Sequence, residues 1–213
     1  MSSVMIYFKY LIKTILSNIS PNIAGTFDLE AMLTGDINNP SLNGSGILSM
    51  PMLAANELND IQIAFKNNAI LEGGLGSLSL MTTYQDQPVS LSSDLTLDAE
   101  RLEFNNLRGA APATTLSGNM AMNTDTLVVT GNGVVAVTDM NQYQSITDVN
   151  ISGNGRAEFN MMDDDGTQAI KVNATLNDII YDAMSLNRAI ITATIPNIMQ
   201  YWPTDITISA QGF

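Results

Sequence analysis

The stretch Pro21–Gly44, PNIAGTFDLEAMLTGDINNPSLNG, decides the fold class. Phe27, Leu29, Ala31 and Leu33 alternate with Asp28, Glu30 and Met32, which is the period of a half-buried β-strand. Gly35 is expected to open a turn. Asn39-Pro40 is expected to fix a second one, because proline holds φ near −65° and keeps the residue before it out of the helical region. Leu42 and Gly44 then begin the next strand. The front of this phrase returns near the end of the chain. Pro196-Asn197-Ile198 repeats Pro21-Asn22-Ile23, and Asp205–Gly212 (DITISAQG) parallels Asp28–Gly35 (DLEAMLTG). The second copy stops where the first continues to its Asn-Pro turn, so the chain reads as a piece of a longer repeat.

Composition narrows the chemistry. Charged residues make up 14% of the 213-residue chain, against about 25% in ordinary globular domains. A net charge of −13 argues against nucleic acid, whose phosphates need a basic face. With neither cysteine nor histidine there is no disulfide framework, no usual zinc site, no Ser-His-Asp arrangement and none of the commonest general base. The chain reads as a non-enzyme without cofactor or metal.

From the N-terminus, Val4, Phe8, Leu11, Ile12, Ile15 and Ile19 fall at helical spacing, with Lys9, Lys13 and Ser17 on another face. Residues 1–20 are therefore expected to form one short amphipathic helix that packs on, or plugs, the end of a β-structure. The segment is too short and too interrupted to span a bilayer, and lacks the order of a signal peptide. An interfacial membrane helix is the sharper alternative.

Residues 21–213 read as one continuous β-region. Short alternating runs are punctuated by Gly, Asn, Asp and Pro at the spacing of successive strands. Gly73-Gly74, Gly131-Asn132-Gly133 and Gly153-Asn154-Gly155 are expected to supply turns. Asp139–Gln144 and Ile198–Trp202 suggest short helical turns. Asp163-Asp164-Asp165-Gly166 lacks the spaced ligands of a calcium loop and reads as a hairpin turn between flanking strands.

One face of these strands is oily. The apolar parity carries Phe27, Leu29, Leu33, Ile61, Ile63, Phe65, Leu95, Leu97, Phe159, Met161, Val172 and Leu176, while the opposite parity carries residues such as Gln62, Asp94, Glu158, Lys171 and Asn173. Two readings follow. In one, two sheets pack their oily faces together, as in a structural or adhesive β-repeat protein with a filled core. In the other, an open sheet folds along its length and its oily face lines a trough. Few aromatics (6%) and 13 methionines suit a surface that accommodates varied apolar partners as well as an ordinary core.

The phrase Gly35–Gly44, GDINNPSLNG, resembles the recurring "G…NP.L.G" turn of the TamB family, the translocation and assembly module subunit of Gram-negative bacteria. Arg101–Gly109 followed by Thr115–Met120, and Leu176–Ile180 leading into Pro196-Asn197-Ile198, are similar to the same family. The resemblance runs from about Ser17 onward. It implies a long antiparallel, U-shaped β-groove, β-taco-like, with an open hydrophobic interior. It further implies a periplasmic location within an inner-membrane-anchored protein, which shields phospholipid acyl chains between the membranes and supports outer-membrane protein assembly and secretion. The implied partners are phospholipid, adjoining TamB-like repeats and an Omp85-type outer-membrane barrel, the last met through regions that this chain lacks. On that reading the twelve apolar residues line the lipid-binding groove, and the chain is an internal fragment without its anchor.

Overall fold

The computed structural model describes residues 3–12, 23–53, 56–57, 59–68, 74–84, 86–98, 100–144, 150–181, 184–196 and 205–211. The fold is all-β and antiparallel, in an open sheet whose strand order follows the chain. It falls into two compact units, Met1–Ala111 and Pro112–Phe213.

Unit 1 contains β1 (Ser3–Ile12), β2 (Ile23–Asp36), β3 (Asn39–Leu53), the two-residue β4 (Asn56–Glu57), β5 (Ile61–Asn68), β6 (Gly74–Tyr84), β7 (Gln87–Leu97) and β8 (Arg101–Ala111). Each pairs with its chain neighbour, except that β5 passes the short β4 to pair with β3. Unit 2 contains β9 (Thr114–Asn123), β10 (Val129–Val137), β11 (Ile151–Asp164), β12 (Thr167–Tyr181), β13 (Met184–Ile195) and β14 (Asp205–Gln211) in the same hairpin order. A single-turn 3₁₀ helix, Met140–Tyr143, sits between β10 and β11, capped by Asp139, whose Oδ1 accepts from the Asn141 N–H at 3.0 Å. This matches the short turn expected there. The turn expected at Ile198–Trp202 lies outside the described residues.

The expected N-terminal helix is corrected. Ser3–Ile12 is a strand, paired antiparallel to β2 from Ser3↔Asp36 to Ile12↔Phe27. Residues 13–22 lie outside the described part. Val4, Ile6, Tyr7, Phe8, Tyr10 and Ile12 are β-branched or aromatic, the residue types that favour strands. The long β2 offers a row of backbone donors and acceptors that a local helical pattern cannot satisfy.

The turns are corrected too. Gly35 and Pro40 do not make separate turns; they pair with each other inside a single hairpin whose tip is Ile37-Asn38. Asp36 Oδ1 accepts from the Asn38 N–H at 2.9 Å and closes that tip. Gly131, Gly133, Gly153 and Gly155 lie within β10 and β11 rather than between strands. The Asp-Gly turn is as expected. Asp165 and Gly166 have φ of 51° and 80°, the left-handed pair of a type I′ hairpin, and Asp163 Oδ1 accepts from the Gly166 N–H at 2.7 Å.

Two bulges keep the parity of long strands in order. In β8, Asn106 takes φ 53° and shifts the register against β7 between Ser92 and Asp94. Apolar residues therefore continue as Leu102, Phe104, Leu107 and Gly109, changing from even to odd positions. Asn106 Nδ2 donates to Asp94 Oδ2 at 2.8 Å, and Ser93 Oγ donates to the Asn105 carbonyl at 2.9 Å. In β12, Asp178 takes φ 53° and does the same between Leu176 and the buried Ile179. Both bulges follow an apolar-Asn pair, Phe104-Asn105 and Leu176-Asn177, and both use the residue types that tolerate the left-handed region.

Candidate functional site

Antiparallel partners share a face, so the register converts strand parity into rows that cross each unit. In unit 1 one row runs Leu29, Gly46, Ile63, Leu80, Leu91, Gly109. A second runs Leu33, Leu42, Asn67, Gly76, Leu95, Phe104. Phe65 is paired with Gly44 and Leu78, Ile61 with Leu48, and Leu97 with Gly74 and Leu102. Phe27 takes the same parity through its pairing with Leu48. In unit 2 the rows are Gly118, Gly133, Phe159, Val172, Ala193, Ile206 and Met120, Gly131, Met161, Ile170, Ile195. Leu176 is paired with Gly155 and Ala189.

All twelve candidate residues thus occupy the apolar parity of their unit, eight in unit 1 and four in unit 2. The register adds residues that parity within single strands missed, among them Leu48, Leu80, Phe104 and Met120. The signal for them was the pairing of successive strands, which a reading of each strand alone does not use.

This face is sheltered without being filled. In β5, Ile61, Ile63 and Phe65 are half-buried while Gln62, Ala64 and Lys66 are exposed, and β11 repeats the contrast at Ala157, Phe159 and Met161 against Arg156, Glu158 and Asn160. Among the described residues only six hydrophobic side chains are buried, and none completely: Leu107, Ala121, Val128, Ala169, Ile179 and Ala189. A two-sheet sandwich would bury the large side chains of both inner faces. Here the leucines, isoleucines and phenylalanines of the oily rows remain partly open.

Glycine supplies the geometry. Every glycine in β3, β6, β9, β10 and β11 stands at the apolar parity. A Cβ added to Gly76 would run into the Lys66 carbonyl oxygen and lie 3.0 Å from Asn67 Cα. At Gly118 it would meet the Asn132 carbonyl and sit 2.8 Å from Gly133 Cα; at Gly131, the Asn119 carbonyl and 2.7 Å from Met120 Cα. The β5–β6 and β9–β10 pairs therefore close toward the apolar side more tightly than any residue with a side chain allows. Phe65 and Phe159 lie across the glycines paired with them, Gly44 and Gly133. Their Cε1 atoms would sit 2.6 and 2.8 Å from an added Cβ. The rings cover bare backbone along the sheet.

The opposite face is mixed in character. An open depression of about 610 Å³ there in unit 1 is lined by Asp28, Glu30, Ser45, Asp60 and Gln62 together with the exposed Ile47 and Met81.

Comparison with family models, with curated proteins and with solved structures returned no match to this chain. No helix among the described residues is long and apolar enough to cross a membrane.

Proposed function

We propose that this chain is part of a non-enzymatic, TamB-like periplasmic protein, and that its glycine-floored apolar face forms a groove shielding phospholipid acyl chains. On this reading it serves lipid movement between the inner and outer membranes and supports outer-membrane protein assembly and secretion, with adjoining repeats and an Omp85-type barrel as partners. The observation that carries the proposal is the largely apolar parity that runs across β2–β8 and across β9–β14, half-sheltered and without a filled core. Each CH₂ withdrawn from water is worth about 0.8 kcal/mol, so a hydrocarbon trough holds a tail without any polar pocket. Headgroups stay in solvent. Rows run across the strands, about 4.8 Å apart. A membrane acyl chain reaches half of a roughly 30 Å hydrocarbon core, so it spans about three strand intervals along a row.

Photo-crosslinkers at Ile63, Leu95, Phe159 and Val172 should capture phospholipid in cells, and those at Gln62, Lys171 and Asn173 on the other parity should not. Equal labelling of both faces, or none on the oily one, overturns the proposal. Ile63→Asp and Val172→Asp separate it from a packed structural repeat. In a filled core the charge would unfold the protein; in an open groove it reaches water, so the fold survives and lipid occupancy falls.

A further inference from the structure

We infer that Asn67 makes the lane of unit 1 selective for acyl chains that carry a hydrogen-bond donor, a hydroxyl or an amide N–H, over plain hydrocarbon chains. This rests on the acyl-chain reading above and goes beyond it by naming what distinguishes one chain from another. Asn67 continues the apolar parity of β5 after Ile61, Ile63 and Phe65, and stands in its row between Leu42 and Gly76. It is the one polar side chain of that row and is only 6% exposed. Its Oδ1 is buried with no hydrogen-bond partner among the described residues. On the β6 side the paired residue is Gly76, which brings backbone against β5 and places no side chain beside the carboxamide. Leu42 on one side, and Leu95 beyond Gly76, remain partly exposed, so a chain seated along the row passes over the amide and reaches its oxygen by displacing the side chains that cover it.

The physics runs against a merely structural role. A buried polar atom left unpaired is costly, whereas an apolar group of the same shape is neutral or stabilising. Leucine would complete the row Leu33, Leu42, Leu95, Phe104 and would keep the same backbone pairing with β3 and β6. A ligand O–H or N–H reaching Oδ1 removes the deficit, and a saturated chain does not. An ester or ketone oxygen, which only accepts, gains nothing from this oxygen.

The test uses the purified chain and displacement of a fluorescent fatty-acid probe. Competitors are stearate, hydroxystearates bearing the hydroxyl near the carboxylate or at mid-chain, the matching oxostearates, and an N-acylglycine of equal length. At least one hydroxystearate, or the N-acylglycine, should bind about five- to tenfold more tightly than stearate, the scale of one buried hydrogen bond; which of them does so tells hydroxyl from amide. Asn67→Leu should fold at least as stably as the parent, bind stearate no more weakly, and lose the preference. Asn67→Ser, which keeps an acceptor, should retain part of it. The inference is overturned if hydroxylated and plain chains bind equally to the parent protein, if the preference survives in Asn67→Leu, or if the oxostearate gains as much as its alcohol. If stearate itself fails to displace the probe, the acyl-chain reading falls, and this inference with it.

Discussion

Gly76→Ala tests the close approach of β5 and β6 with one methyl group. The added Cβ would overlap the Lys66 carbonyl oxygen and lie 3.0 Å from Asn67 Cα, both backbone atoms that no rotamer change can move aside. The two strands must separate locally, which strains the pairing of Lys66 with Ser77, Asn67 with Gly76 and Asn68 with Leu75. Two or three backbone hydrogen bonds weakened at about 1 kcal/mol each, less the roughly 0.5–1 kcal/mol that alanine gains over glycine in a strand, give a loss of about 1–2.5 kcal/mol. Gly133→Ala provides the contrast. Its Cβ meets the far end of the Phe159 ring, which can swing away, and lies 2.9 Å from the Ser117 carbonyl oxygen, so a smaller loss of about 1–2 kcal/mol is expected, with Phe159→Leu restoring the part due to the ring. Ser77→Ala, the exposed neighbour on the polar parity, should stay within about 0.5 kcal/mol of the parent. Urea unfolding followed by far-ultraviolet circular dichroism reads all three. If Gly76→Ala costs no more than Ser77→Ala, the strands do not close on the apolar side and the glycine-floored geometry is wrong.

Other outcomes follow from single contacts. Gln168 reaches from β12 to the first residue of β10, its Oε1 accepting from the Val129 N–H at 2.6 Å and its Nε2 donating to the Val129 carbonyl at 2.7 Å. Gln168→Leu should cost about 1–3 kcal/mol, and the Val129 amide should exchange faster by deuterium NMR than its neighbours in β10. At the bulges, Asn106→Val and Asp178→Val should each destabilise by about 1–2 kcal/mol because φ stays positive, while Asn106→Gly and Asp178→Gly stay near the parent in thermal unfolding. For β1, cross-strand NOEs between Ile6 and Leu33 are expected, and helical i to i+3 contacts across residues 3–12 would refute the strand.

Much of the architecture was legible in the residues. The alternation in Ile61–Phe65, Ala157–Met161 and Ile170–Leu176 set both strand type and facing, because a period of two has no other regular solution. Residues 3–12 misled because their apolar residues also fit a helical stripe. What separates the two readings is an edge of β2 that exists only once the sheet has formed. The paired glycines at Gly131-Asn132-Gly133 and Gly153-Asn154-Gly155 were read as turns because a tight turn and a close strand approach need the same residue, and only the register tells them apart. Asn106 and Asp178 hid for a related reason: a polar pair inside an apolar alternation marks either a strand end or a bulge. Asn67 left no local trace, since a polar residue near the end of a strand is ordinary and its burial comes from neighbours in other strands.

The hairpin order also says how such a molecule is made. Within each unit every strand finds its partner in the strand just before or just after it, with only the two-residue β4 passed over. No segment waits for a distant one, so loop closure stays cheap and each new hairpin can zip onto the strand already in place. A chain of this kind can organise in the order in which it leaves the ribosome. It can also be lengthened by inserting a hairpin at a tip such as Asp165-Gly166 while the pairing on either side is largely preserved, as in other quasi-one-dimensional proteins.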